Sequence, residues 1–222
     1  MRCTSSTSGT SSPSPPRPGA RPRSPRSRSC RQRPRTRCSP AHGGVTLEAM
    51  RRKDLETLFG FSYWMKDRVL ECTAKLTRAE FLAPSGVTTR DLRATLVHTL
   101  DVEKSWRARL QGQPEEVWKK ELPLTDYPTA KALIDHWRRD EYEMKAWLTT
   151  LDDERLSQVH DLNPGSTPTE RFPLWYYLLH IHAHTQQQMS DAAVLLTRMR
   201  QSPGNIDFLD FADHIHKRTP AD

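Results

Sequence analysis

Three histidines on one predicted helix carry the most chemistry in this sequence. His180-Ile181-His182-Ala183-His184 is followed by Thr185-Gln186-Gln187-Gln188 and then by Asp191. At about 100° per residue, His180, His184, Gln188 and Asp191 fall on one narrow stripe, while His182 points elsewhere. The stripe borders the apolar face of the helix, so four polar groups project into the groove beside the core. Two histidines at i and i+4 stand one above the other and can share one divalent ion. A further ligand must then come from another helix. His98 is the best candidate, because it sits on the flank of its own apolar stripe beside Asp101 and Val102. Plainer readings stand next to this one. H-x-x-x-H occurs by chance in helices, and a histidine beside a core is more often simply hydrogen-bonded.

Other residue groups have bland readings. Asp101 and Glu103 read as helix-surface or interhelical polar partners. Trp64, Trp106, Trp137 and Trp175 read as core rather than as a cofactor box, and His214 and His216 as solvated. The sequence has no P-loop, no G-x-G-x-x-G after a strand, no G-x-S-x-G and no C-x-x-C.

The elements that must position these groups are helical. Leu55, Leu58, Met65, Val69, Cys72 and Leu76 recur at helical spacing and predict a first helix over about 46–76. Ala83-Pro84-Ser85-Gly86 breaks it. A second helix is expected over about 89–111, with Thr88 or Thr89 as its cap, Asp91 in its first turn, and Leu92, Leu96, Glu103, Trp106 and Leu110 on one stripe. A third starts after Asp126 with Pro128 in its first turn and runs to about Leu151. The stretch 152–171 reads as irregular, with a turn at Asn163-Pro164-Gly165. The fourth helix covers about 173–200, and a last short one about 206–217. Four long helices joined by connections of ~10–20 residues predict an all-α fold, an antiparallel four-helix bundle over 46–217. The long connections 111–127 and 152–172 are candidates to rim a site.

Residues 1–45 differ from the rest. They contain ten arginines, no lysine and no acidic residue, and the first acid is Glu48. Taking those ten from the 34 basic residues leaves 24 against 27 acidic ones, so the remainder carries about −3. The segment is Ser- and Pro-rich and has no Leu, Ile, Phe, Tyr or Trp, so it has nothing to bury against the entropy cost of ordering. The foremost expectation is a disordered Arg/Ser/Pro-rich tail. A start-site artefact, with Met50 or Val45 as the initiator, is a second reading. Non-specific nucleic-acid contact is a third. A transit peptide is a fourth, and the prolines speak against it. Cys72 is alone outside the tail, which points to a reducing, cytoplasmic setting. No apolar run approaches the ~20 residues of a membrane span.

The order of these features resembles the DinB/YfiT-like family of metal-dependent enzymes over roughly 46–213. The stretch Phe61-Ser62-Tyr63-Trp64-Met65-Lys66-Asp67-Arg68-Val69-Leu70 is similar to the family's opening helix. Leu92-Arg93-Ala94-Thr95-Leu96-Val97-His98, followed by Glu103 and Trp106, is similar to its second, whose histidine is a metal ligand. Ser202-Pro203-Gly204-Asn205-Ile206-Asp207-Phe208 is similar to its finish. The resemblance implies an ion, Zn or Ni, held by His98 and His184 and by the position of Gln188. There the family has a second histidine one turn after the first. This sequence departs at that position, and Met189-Ser190-Asp191 replaces the family's R-G-Q. An amide oxygen is a weaker donor than imidazole for such ions. Gln188 ligates weakly, or His180 replaces it, or Asp191 supplies a carboxylate; otherwise the metal is lost. The family implies a hydrolase, or a transferase or isomerase that uses a low-molecular-weight thiol, acting on a small-molecule substrate. It also suggests a homodimer. The rival is a degenerate, metal-free bundle with a binding or stress-related role.

Overall fold

Caps decide where the helices begin, and the computed structural model describes them over residues 50–165 and 171–218. The tail, 1–45, lies outside the described residues. Helix α1, Arg52–Thr73, starts at Arg51, whose backbone N–H and guanidinium both donate to Asp54. Helix α3, Leu92–Leu110, is capped by Asp91, whose carboxylate accepts the Ala94 N–H at 2.8 Å. Asp91 is therefore the cap itself, and Thr88 and Thr89 lie outside the helix. A charged acceptor at this position satisfies an orphan N–H and meets the positive end of the helix dipole. Helix α5, Ala130–Leu148, is capped by Thr129, which leaves Pro128 ahead of the cap instead of in the first turn. Helix α7, Leu174–Arg198, begins directly after Pro173. It ends earlier than the Ser202-Pro203-Gly204 breaker, because Arg200 turns left-handed at φ 60° and Gln201 N–H bonds back to the Leu196 carbonyl. Helix α8 spans Phe208–Arg218.

Short elements fill the connections: α2 (Arg78–Phe81), α4 (Glu115–Trp118), a 3-10 turn at Leu124–Asp126 and α6 (Asp153–Ser157). The stretch expected to be irregular also holds a small antiparallel pair. Strand β1 (Val159–Asp161) lies against β2 (Arg171–Pro173), with Val159 opposite Pro173. These pieces are too short to show a period in the sequence. Leu156, wholly buried, anchors α6 to the core.

Helix directions follow from which residues meet. His98 meets His184 and Trp106 meets Tyr177, so α3 and α7 run antiparallel. Arg138 reaches Asp67 and Lys145 lies over Tyr63, so α1 and α5 are antiparallel too. The other two neighbouring pairs run parallel. Glu103 meets Trp137 and Arg107 meets Asp140 across α3 and α5. Along α1 and α7, Leu55 clusters with Leu174, Ser62 meets His182, and Val69 clusters with Leu196. The antiparallel expectation thus holds for two of the four contacts. The parallel α3–α5 contact explains the length of the 111–129 connection, which must return the chain along the bundle before α5 begins.

Two apolar clusters fill the bundle. Phe61, Met65, Leu96, Leu133, Trp137 and Leu196 belong to one, and Leu55, Phe59, Met144, Leu174 and Leu178 to the other. Between them all four long helices supply buried polar groups: Ser62 and Lys66 from α1, Glu103 and Arg107 from α3, Asp140 from α5, and His182 and Thr185 from α7. At that depth a polar group left without a partner is costly, so these residues pair across the layer.

Candidate metal centre

His98 and His184 meet in the groove between α3 and α7, beside this polar layer. Their Nε2 atoms are 3.3 Å apart, and the rings stand at 73° with centroids 5.1 Å apart. Two donors about 2.0–2.1 Å from a tetrahedral Zn ion lie about 3.3–3.4 Å from each other, so this spacing matches one edge of such a site. Burial lowers the His98 pKa, and the Arg90 charge adds to the effect. Burial and the neighbouring His98 and His180 push His184 down to about 4. Both rings are therefore neutral at pH 7, the form in which imidazole donates to a metal.

The remaining expected ligands are placed unequally. Gln188 is buried one helical turn beyond His184, on the same stripe. His180 is exposed, with its ring edge-on to Trp106 at 5.2 Å and 6.4 Å from the His184 ring. Asp191 is half-buried further along α7. Among the described residues no three His, Cys, Asp or Glu side chains converge on one point. His180 and Asp191 therefore do not complete a three-ligand set with the pair, which leaves Gln188 as the remaining polar residue on the stripe. The donor set fits an ion at two imidazoles and departs from the family at the third position. A second departure concerns His184 Nδ1, which is buried and has no hydrogen-bond partner among the described residues. Metal-bound histidines usually donate that N–H to a carboxylate or carbonyl.

Glu103 holds the two halves of the site in register. Its carboxylate is buried and accepts from Lys66 Nζ at 3.0 Å, Trp137 Nε1 at 2.9 Å and the Thr185 hydroxyl at 2.6 Å. Thr185 follows His184 directly, so Glu103 ties the second histidine's helix to α1, α3 and α5 at once. The sequence signal for this role was a charged residue inside an apolar stripe. Lys66, its ion partner, carried the same signal and was missed. The reading of Asp101 as a polar partner also holds, since it accepts the Leu122 backbone N–H at 3.0 Å. His182 does turn away from the stripe, and its Nδ1 pairs with the Ser62 hydroxyl at 2.8 Å inside the core.

A helical bundle with two facing imidazoles in the groove between its second and last long helices defines a class of protein. The sequence model of the DinB family matches residues 50–219, and the chain belongs to that family. Among curated proteins none matches the chain. Among the described residues no helix is long and apolar enough to cross a membrane.

Proposed function

We propose that His98 and His184 hold a divalent transition ion, Zn or Ni, with the Gln188 carbonyl as a weak third donor. On this reading the protein is a metal-dependent hydrolase or thiol-dependent transferase of the cytoplasm, acting on a small-molecule substrate. The observation that carries it is the 3.3 Å separation of the two Nε2 atoms. When bound, such an ion supplies Lewis-acid chemistry and lowers the pKa of a water or thiol that it holds. The chain's own part is positioning. Burial keeps both imidazoles unprotonated, Glu103 fixes α7 through Thr185, and the positive charge of Arg90 beside the pair draws an anionic group, such as a thiolate or carboxylate, into the groove.

Metal analysis of the full chain after supply of Zn or Ni tests the proposal. Close to one ion per chain is expected, lost in His98→Ala and in His184→Ala. Gln188→His restores the family's pair of histidines and is expected to tighten binding roughly 10–100-fold. Less than ~0.2 ion per chain in the unaltered protein overturns it. That result favours the second reading, a metal-free bundle with a binding or stress-related role. The observation on its side is that no three acidic, histidine or cysteine side chains converge among the described residues. A homodimer and a low-molecular-weight thiol partner remain part of the first reading.

A further inference from the structure

We propose that an aromatic cavity beside the histidine pair binds a flat, uncharged aromatic group, and that this group is the handle by which the protein holds its substrate. The role as a substrate subsite rests on the catalytic reading above; the binding itself does not. The cavity measures about 330 Å³ and is walled by Trp106 of α3, Phe172 of β2, and Tyr176, Tyr177 and His180 of α7. That is the small end of the range for ligand sites and suits one or two fused rings.

The ring geometry favours a planar guest. Phe172 and Tyr176 lie nearly parallel, 10° apart with centroids at 5.5 Å. Tyr177 is turned 68° to Phe172 at 6.0 Å, and Trp106 lies 29° from Tyr177 at 5.7 Å. The wall thus offers both faces and edges, the two ways in which aromatic rings prefer to meet. Charge selects further. Among the described residues no carboxylate, lysine or arginine lines the cavity, so a charged guest finds no counter-charge among them. The Arg109 guanidinium already lies over the Trp106 ring, 5.4 Å from its centroid, and discourages a second cation. Phe172 is 42% exposed, and Tyr176 is half-buried beside it.

The position of the cavity ties it to the chemistry. His180 stands at one side, its ring 5.2 Å from Trp106 and 6.4 Å from His184. His180 thus neighbours both the cavity wall and the His184 ring, so a substituent on the His180 side of a seated ring lies toward the pair.

The test titrates 2-naphthalenemethanol into the full chain in the presence of EDTA and follows the indole N–H of Trp106 by NMR, assigned through Trp106→Phe. Saturable shifts with Kd below about 1 mM are expected. Phe172→Ala and Tyr176→Ala should each weaken binding about three- to tenfold, and the non-planar cyclohexanemethanol should bind more weakly by a similar factor. Phe172 sits at an exposed edge, so its variant keeps the fold intact. Shifts that stay linear to ~10 mM, equal binding of the cyclohexyl compound, or indifference to both wall substitutions overturn the proposal. Because EDTA is present throughout, a negative metal analysis leaves this titration unaffected, and the two failures are distinguishable.

Discussion

Replacing Glu103 by Gln tests how the polar layer holds the bundle together. Lys66 is 2% exposed and Glu103 5%, and the carboxylate takes hydrogen bonds from three helices. Glu103→Gln removes one negative charge and leaves the Lys66 ammonium buried without it. Breaking a buried pair from one side costs about 3–5 kcal/mol. For a domain of this size that lowers Tm by about 6–20 °C, read by circular dichroism during heating. The companion substitution decides the cause. With Lys66→Met added, the amide oxygen introduced by Glu103→Gln still accepts from Trp137 and the amide nitrogen donates to the Thr185 hydroxyl, so the layer loses both charges of the pair together. The double variant should recover at least ~2 kcal/mol relative to the sum of the single changes in urea denaturation. A single-variant loss under ~1 kcal/mol, or simple additivity, would refute the view that the ion pair is a buried, mutually dependent unit.

Three further outcomes follow from local features. Arg200 holds φ 60° at the end of α7, so Arg200→Gly should stabilise by about 1 kcal/mol in urea denaturation. Gly204 has φ +75°, and a Cβ there would meet Arg68 Nη2 at 2.9 Å, while Arg68 donates to the Pro203 carbonyl at 2.8 Å. Gly204→Ala should therefore cost roughly 1–2 kcal/mol, and Arg68→Ala made beside it should return part of that loss if the clash is real. Burial lowers the His182 pKa below 6.5, so its contribution to stability is complete above pH 6.5 and fades as pH falls below that value. His182→Phe should flatten the acid side of the stability–pH curve; an unchanged slope would place the dependence elsewhere.

The fold was legible in the sequence where periodicity was long. All four long helices and the short last one were readable, because each repeats apolar residues over several turns, as Leu55 to Leu76 do. Helix ends were less legible. Asp91 looked like a first-turn acid since two threonines preceded it, and only the geometry shows which oxygen reaches the Ala94 N–H. The parallel pairing of α3 with α5 was not legible, because apolar stripes say which face is inside and nothing about direction. His98 and His184 could be paired from their flank positions and their likeness to a family pattern. The spacing of their nitrogens could not, since it depends on how Glu103 locks α7 through Thr185. The aromatic cavity was missed because its wall comes from β2 as well as α3 and α7, and a three-residue strand leaves no pattern to read. The reading of Trp106 as core holds only in part, for it is half-buried and faces that cavity.

The pairing of α1 with α7 bears on how the polypeptide is made. On the ribosome, residues 52–148 emerge with three of the four walls of the bundle and no partner for the open side. Glu103 waits for the Thr185 hydroxyl and Ser62 for His182 until the chain beyond residue 190 has left the exit tunnel. Nascent chains stalled before α7 should expose the apolar residues that Leu178, Ile181 and Leu196 later cover, and so should recruit chaperones. Synthesis past Leu196 closes the core and brings His184 to His98 in the same event, so a product truncated before α7 has neither a closed core nor the histidine pair.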